Sequence, residues 1–240
     1  MNEAEAVRRQ AVEATRVWQR VASEEGSRSD ALSDAPTAAE TDFAPVVEDY
    51  FTGLVDAVSR SVASVSIDHV NRLVTECADI LDAGGKIVVS GLGKNVPICD
   101  KFVGSMRSLG ENAAFMDTAG AMHGDLGLVH DKDLVIVLTK SGETIESIRL
   151  LEHLRQRSVP VWGVTFNEES TLTRLIPNNI VLSLDHEGDP WNVMPNNSTT
   201  VSLIVLQALV MLLAHKRRKV IDDFKRNHPG GHIGVLLGQV

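Results

Sequence analysis

The sequence predicts an α/β fold, a five-stranded parallel sheet sandwiched by helices and preceded by an N-terminal helical extension. Three observations point there. From residue 86 onward, short β-branched runs alternate with helix-length segments, as crossover connections between parallel strands require. The runs are apolar almost without interruption, Leu134-Val135-Ile136-Val137-Leu138 being the clearest, which suits strands buried on both faces. Finally, 240 residues with 43% apolar content suffice for one full-sized core.

The elements follow in order. Val7, Ala11, Ala14, Trp18 and Val21 recur at helical spacing, so residues 1–22 read as an amphipathic helix in need of a partner surface. Residues 23–42 are rich in Ser, Asp, Glu and Ala, with Leu32 the single large apolar side chain, and cannot repay their ordering entropy by burial. The extension and flexible acidic linker, 1–42, are therefore set apart from a domain at 43–240. Helical spacing returns at Val47, Tyr50, Phe51, Leu54 and Val58, and again from Ile67 through Val70, Val74 and Cys77 to Leu81, ending at Gly84-Gly85. Five strands follow: Lys86 to Ser90, Ala113 to Met116, Leu134 to Leu138, Val159 to Thr165 and Ile180 to Leu184. Ligands of such sheets sit outside the carboxyl ends of the strands, which directs attention to the loops after Ser90, Met116, Leu138 and Leu184.

Charge and composition narrow the function. Lys and Arg total 23 against 32 Asp and Glu, a net charge of −9 with the eight histidines neutral, so no nucleic-acid partner is expected. The cluster Lys216-Arg217-Arg218-Lys219 reads as cations opposing the dipole at a helix C-terminus. That helix, the apolar stretch from Val201 to Ala214, is shorter than the roughly 18 residues a membrane span needs, so a core helix and no membrane partner are expected. Cys77 and Cys99 do not form a disulfide framework, and the acidic opening Met1-Asn2-Glu3-Ala4-Glu5 is unlike a signal peptide. The expected compartment is the reducing cytoplasm.

Four segments carry chemistry. Ser90-Gly91-Leu92-Gly93-Lys94-Asn95 links a strand to a helix with Ile98, Phe102 and Met106 on its apolar face; it is neither a dinucleotide fingerprint, since Val96 ends the pattern, nor a P-loop, since Val88 replaces the first glycine. Two readings are open: glycines admitting an anion to the backbone beside the Lys94 charge, or a plain turn with a solvated lysine. Thr139-Lys140-Ser141-Gly142-Glu143-Thr144 precedes a helix with Ile145, Ile148 and Leu151, and gathers three hydroxyls and backbone N–H groups at a helix N-terminus, as a phosphate dianion needs. His123-Gly124-Asp125 and His228-Pro229-Gly230-Gly231 present imidazoles from turns, and Pro-Gly-Gly denies His228 and His232 the helical spacing of a zinc pair, so no metal is expected. Glu187, after the fifth strand, and Glu146, one turn into the helix, place two carboxylates on the expected rim, where proton abstraction beside a carbonyl needs one.

Together these segments resemble the sugar isomerase (SIS) family, most closely the isomerase domain of D-arabinose-5-phosphate isomerases. The resemblance rests on Gly91-Leu92-Gly93-Lys94, His123-Gly124-Asp125-Leu126-Gly127, Ser141-Gly142-Glu143-Thr144, Ser198-Thr199-Thr200 and Asp223-Phe224 through His228-Pro229-Gly230-Gly231, and covers Phe43 to Gly234. It implies the SIS fold, catalytic roles for Lys94, Glu146, Glu187 and His228, a substrate contact at His123, and phosphate contacts at Asn95, Thr139, Ser141 and Thr144, with Gly93 and Gly142 lining the same site. It also implies a homo-oligomer, a tetramer, in which His228 completes a neighbour's site. This sequence departs from the family at Asn95, often serine, at Lys140, usually small and polar, at Asp117, often histidine, and at Gly120, often an acid; the tandem CBS pair that commonly follows is absent up to Val240.

The implied reaction is interconversion of D-arabinose 5-phosphate and D-ribulose 5-phosphate through an enediolate, without a cofactor. Glu187 is the favoured base, with Glu146 sharing that role or orienting His228; Lys94 stabilises the oxyanion and His228 opens the ring. The alternatives are a related isomerase of another phosphosugar, such as a 6-phospho-3-hexuloisomerase, and a non-catalytic module that senses a sugar phosphate.

Overall fold

The computed structural model describes residues 44–238; the expected amphipathic helix at 1–22 and the linker at 23–42 lie outside the described residues. Two compact units divide the described chain. One comprises residues up to Ser61 together with Leu184–Ser198, the other Val62–Ser183 together with the chain from Thr199 onward.

The first unit holds most of helix α1 (Ala44–Ala63) and the loop that leads into helix α6 (Asn197–Lys216). Tyr50 Oη donates to the Gly188 carbonyl at 2.6 Å, and Arg60 Nε pairs with Asp185 at 2.7 Å. The periodicity at Val47, Tyr50 and Phe51 does form a helix, yet these side chains are exposed.

The larger unit contains the sheet. After α2 (Ile67–Asp82), capped by Ser66 accepting from the His69 N–H at 3.3 Å, come β1 (Ile87–Gly91), α3 (Val96–Ser108), β2 (Ala113–Asp117), β3 (Leu134–Leu138), α4 (Ile145–Gln156), β4 (Val161–Thr165), α5 (Thr171–Leu175) and β5 (Asn179–Val181). Helix α6, α7 (Ile221–Arg226) and α8 (Gly231–Leu236) complete the chain. All four strand pairings are parallel, in the order β2-β1-β3-β4-β5. Strands β1, β3 and β4 are buried along their whole length, which is why their sequences do not alternate.

The structure shifts several expected boundaries. β4 starts at Val161, because Pro160 has no N–H to give the ladder. β5 is only three residues long, and Leu184 belongs to the other unit. Along α4 the buried face is Ser147, Leu150, Leu151 and Leu154, whereas Ile145 points outward at the helix start. Helix α6 has 20 residues rather than 14, enough by length and composition to cross a membrane. The case for a core helix therefore rests on burial of Val201, Leu206, Leu209, Val210 and Leu213.

The cationic cluster is spent on ion pairs. Arg217 Nε reaches Glu111 at 2.7 Å, Lys219 Nζ reaches the same carboxylate at 2.9 Å, and Arg217 also holds Asp82. Glu111 is buried, so these cations join the end of α6 to α2 and to the turn before β2 rather than forming a free basic patch. Replacing Glu111 with Ala strands two cations beside a desolvated gap, and should lower unfolding stability by about 3 kcal/mol in urea titrations; a change under about 0.5 kcal/mol would show the network to be ornamental.

Candidate active site where the strand order reverses

Strand order reverses at β1, whose neighbours are β2 on one side and β3 on the other, and a parallel sheet opens a crevice at that point beyond the strand ends. Gly91 and Leu138 are register partners at that edge, so the two loops singled out in the sequence emerge side by side. Asn95 Nδ2 donates to the Leu138 carbonyl at 3.4 Å and ties them together. A side chain at Gly91 would collide with Asn95 Cβ, so the first glycine is required by this close approach. Gly93, at φ +60°, opens the tight turn Gly93–Asn95 that presents Lys94 to solvent.

The loop after β3 is built as an anion cradle. Its three successive carbonyls are all held by one neighbouring segment: Lys140 O accepts from Thr165 Oγ1 at 3.1 Å and from Phe166 N at 2.9 Å, Ser141 O from Asn167 Nδ2 at 3.2 Å, and Gly142 O from Leu172 N at 3.1 Å. In a trans peptide the N–H points opposite to the C=O, so the N–H groups of Ser141, Gly142 and Glu143 turn away from that segment. The Glu143 N–H meets Ser141 Oγ at 3.1 Å; those of Ser141 and Gly142 have no acceptor among the described residues. Gly142 takes φ +66°, and a Cβ there would run into Ser170, so this nest-forming position needs glycine. Thr139 and Thr144 share a hydrogen bond at 3.0 Å between their hydroxyls. Thr144 precedes α4 without capping it through its side chain, which leaves the first N–H groups of that helix for a ligand; Ser141 is not the cap.

Glu146 lies in the first turn of α4, partly exposed. His123 ends a short 3-10 turn after β2 and is exposed; Asp117 Oδ1 accepts from Gly120 N at 2.7 Å, so the carboxylate at that departure from the family closes the turn. His228 is elsewhere. Asn227, its neighbour, donates to the carbonyl of Ser108 at 3.2 Å, at the far end of α3. The 13 residues of that helix span about 20 Å, so His228 belongs to the opposite edge of the sheet from Lys94. It stacks on Phe224 at 3.8 Å, and its Nδ1 donates to the Phe224 carbonyl at 2.8 Å, since a carbonyl can only accept; Nε2 is left as the basic nitrogen.

Glu187 lies in the first unit, wholly buried. Its carboxylate accepts from the backbone N–H groups of Asn196 and Ser198 at 3.0 and 2.9 Å and from Ser198 Oγ at 2.6 Å. The role it performs there is to anchor the loop before α6, beside buried Asp189, which accepts from Trp191, Val193 and Met194. Both cysteines are buried and free; burial pushes the Cys99 thiol up to about 12 and the Cys77 thiol higher still. Among the described residues, no three His, Cys, Asp or Glu side chains gather as a metal site.

Residues 79–212 match the family model of the SIS domain. The chain belongs to the SIS domain family. It is 34% identical over 182 residues to arabinose 5-phosphate isomerase KdsD of Pseudomonas aeruginosa, covering 76% of this chain and 55% of that one. Identity is also 34%, over 180 residues, to arabinose 5-phosphate isomerase KpsF of Escherichia coli, with 75% and 53% covered. The chain thus spans about half the length of the curated relatives it matches. Among solved SIS structures, an Escherichia coli CFT073 protein in complex with arabinose 5-phosphate superposes with TM-score 0.70 at 27% identity, over 78% of this chain and 97% of that one. A Listeria monocytogenes structure gives TM-score 0.74 at 25% identity, over 81% and 100%.

Sequence patterns pass over the loop after β4, which supplies every brace of the cradle. Its one local signal is Ser170 before Thr171, an N-cap for α5 that accepts from Thr173 N at 3.3 Å. Glu143 adds a fourth tie, accepting from Thr171 N at 2.7 Å, and that bond holds its carboxyl below the usual value of 4.5. Because the folded pKa is depressed, the tie is present above the ordinary pKa and lost as pH falls through the lowered one. The melting-temperature gap between this SIS domain and its Glu143→Gln variant should therefore close as the pH falls below about 5; a gap that persists at the lowest pH would contradict the tie.

Proposed function

We propose that this SIS domain is an aldose–ketose isomerase that interconverts D-arabinose 5-phosphate and D-ribulose 5-phosphate through an enediolate. The observation that carries the reading is the cradle of outward carbonyls and inward N–H groups beside the Lys94 turn, with Glu146 one helical turn away. The two relatives named arabinose 5-phosphate isomerase and the complex with arabinose 5-phosphate support the choice of sugar.

The phosphate binds the Ser141–Thr144 loop and the free N–H groups of α4, which orients the far end of the open-chain sugar. A carboxylate removes the proton from C2 of the aldose, and the electron pair passes into the carbonyl to give the enediolate. Lys94 stabilises the oxyanion. The same proton returns at C1, while a neutral imidazole moves a proton between the two oxygens. We assign the carboxylate to Glu146, since Glu187 spends its oxygens on the loop it anchors, and we assign the imidazole to His228 of a second copy. No cofactor is called for by this route, and the whole assembly is a homo-oligomer, a tetramer in the family's pattern.

Glu146→Gln keeps shape and removes the base, so turnover should fall on the order of a hundredfold or more with phosphosugar affinity little changed. Deuterium entry at C2 of D-arabinose 5-phosphate in heavy water should vanish with it. Glu187→Gln should instead lower the melting temperature. A folded Glu187→Gln protein that has lost exchange, beside an active Glu146→Gln, would move the base role to Glu187.

The placement of His228 gives a second test. His228→Ala and Glu146→Gln chains, each nearly inactive alone, should recover part of the activity when co-assembled, because some mixed sites take an intact residue from each chain. No recovery in mixed oligomers verified by sedimentation would mean that His228 serves its own subunit or has no part in the reaction.

A further inference from the structure

We propose that Asn167 is a positioning residue for phosphate recognition, acting through the Ser141–Gly142 peptide; this rests on the phosphate-loop reading above. Asn167 touches neither α4 nor the Lys94 turn in any hydrogen bond, and its backbone belongs to the loop after β4. Its side chain nevertheless does two things at once. Oδ1 accepts from Glu169 N at 3.1 Å, which folds the loop back on itself and fixes the amide plane. Nδ2 then donates to Ser141 O at 3.2 Å.

The consequence follows from peptide planarity. Ser141 O and Gly142 N–H lie on opposite sides of one rigid plane, so the group that holds the carbonyl also aims the N–H. On either side of it, Lys140 O is held by a side chain and a backbone N–H, and Gly142 O by a backbone N–H, both from elements that are part of the fold. The Ser141 carbonyl has a lone side chain as its partner. Gly142, at φ +66° and without a side chain, is also the residue in the loop with most freedom to rotate. The central peptide of the cradle is thus the one whose orientation depends on a single side chain, and a flipped plane would offer the phosphate a carbonyl oxygen in place of an N–H.

Asn167 is only partly buried and fills no core space, so its removal leaves the fold intact. Asn167→Ala should raise the KM for D-arabinose 5-phosphate and weaken inorganic phosphate binding by about five- to tenfold, the loss of roughly one hydrogen bond's worth of positioning. The kcat should stay within about twofold and the melting temperature close to wild type. Asn167→Gln, which still offers an amide donor, should recover most of the affinity. A Ser141→Ala/Thr144→Ala chain provides the reference. If that reference loses phosphate affinity while Asn167→Ala binds as wild type does, Asn167 does not position the loop. An Asn167→Ala chain whose melting temperature and kcat fall together with affinity, unrescued by Gln, would make the residue merely structural and overturn the inference. Should the reference chain also bind phosphate normally, the loop is not the phosphate site, and the proposed function fails along with this inference.

Discussion

β1 and β3 lie side by side and parallel, with Gly91 opposite Leu138, and nearly everything about the site descends from that pairing. A parallel sheet must carry its connections over its faces, and only where the strand order reverses do two successive connections leave in opposite directions and open a crevice. Here the loops that leave are the glycine turn with Lys94 and the hydroxyl-rich cradle. The two segments are far apart in sequence, and neither is distinctive alone. Set edge to edge, with Asn95 bonded to Leu138 O, they become one surface that offers a cation on one side and backbone donors on the other.

The two edges of the sheet are used differently. Before the strands begin, buried carboxylates are fully engaged: Asp133 holds Lys86 and the His130 N–H, and Glu111 holds Arg217 and Lys219. Charges desolvated in this way are tolerable only when paired. At the carboxyl edge the opposite holds, and polar groups are braced from behind while their other side is left open. Carbonyls of residues 140–142 face the loop after β4, so the loop has a defined shape before a ligand arrives and the ligand need not supply the ordering free energy. His228 sits at the stability edge of its own chain, and a second copy is the physical way for its Nε2 to reach a carboxyl-edge site.

Much of this was legible in the sequence. Five runs of apolar residues give five strands, and Gly142 before a helix marks the cradle, because buried parallel strands and left-handed turns each demand specific residue types. What depends on contacts between distant segments was hidden. Asn167 and Thr165 look like ordinary loop and strand-end residues, and their hydrogen bonds to residues 140 and 141 follow from the β3–β4 pairing rather than from local pattern. Glu187 looks like a rim acid because it follows β5, but three donors from the start of α6 and the preceding residue claim its oxygens. The Lys216–Lys219 cluster looks like a dipole partner for the same reason, since Glu111 lies 106 residues before Arg217. Periodicity reports which face is buried; it does not report who meets whom.

The central claim is that the backbone N–H groups of Ser141 and Gly142 receive the phosphate of the sugar. Amide-resolved NMR during titration with D-arabinose 5-phosphate tests it most directly. The account requires those two amide protons to shift downfield together, saturating with the same dissociation constant as isomerisation measured at equilibrium, and inorganic phosphate to move the same pair. Saturable binding of the phosphosugar that leaves both amides where they were would place the phosphate elsewhere and contradict the account.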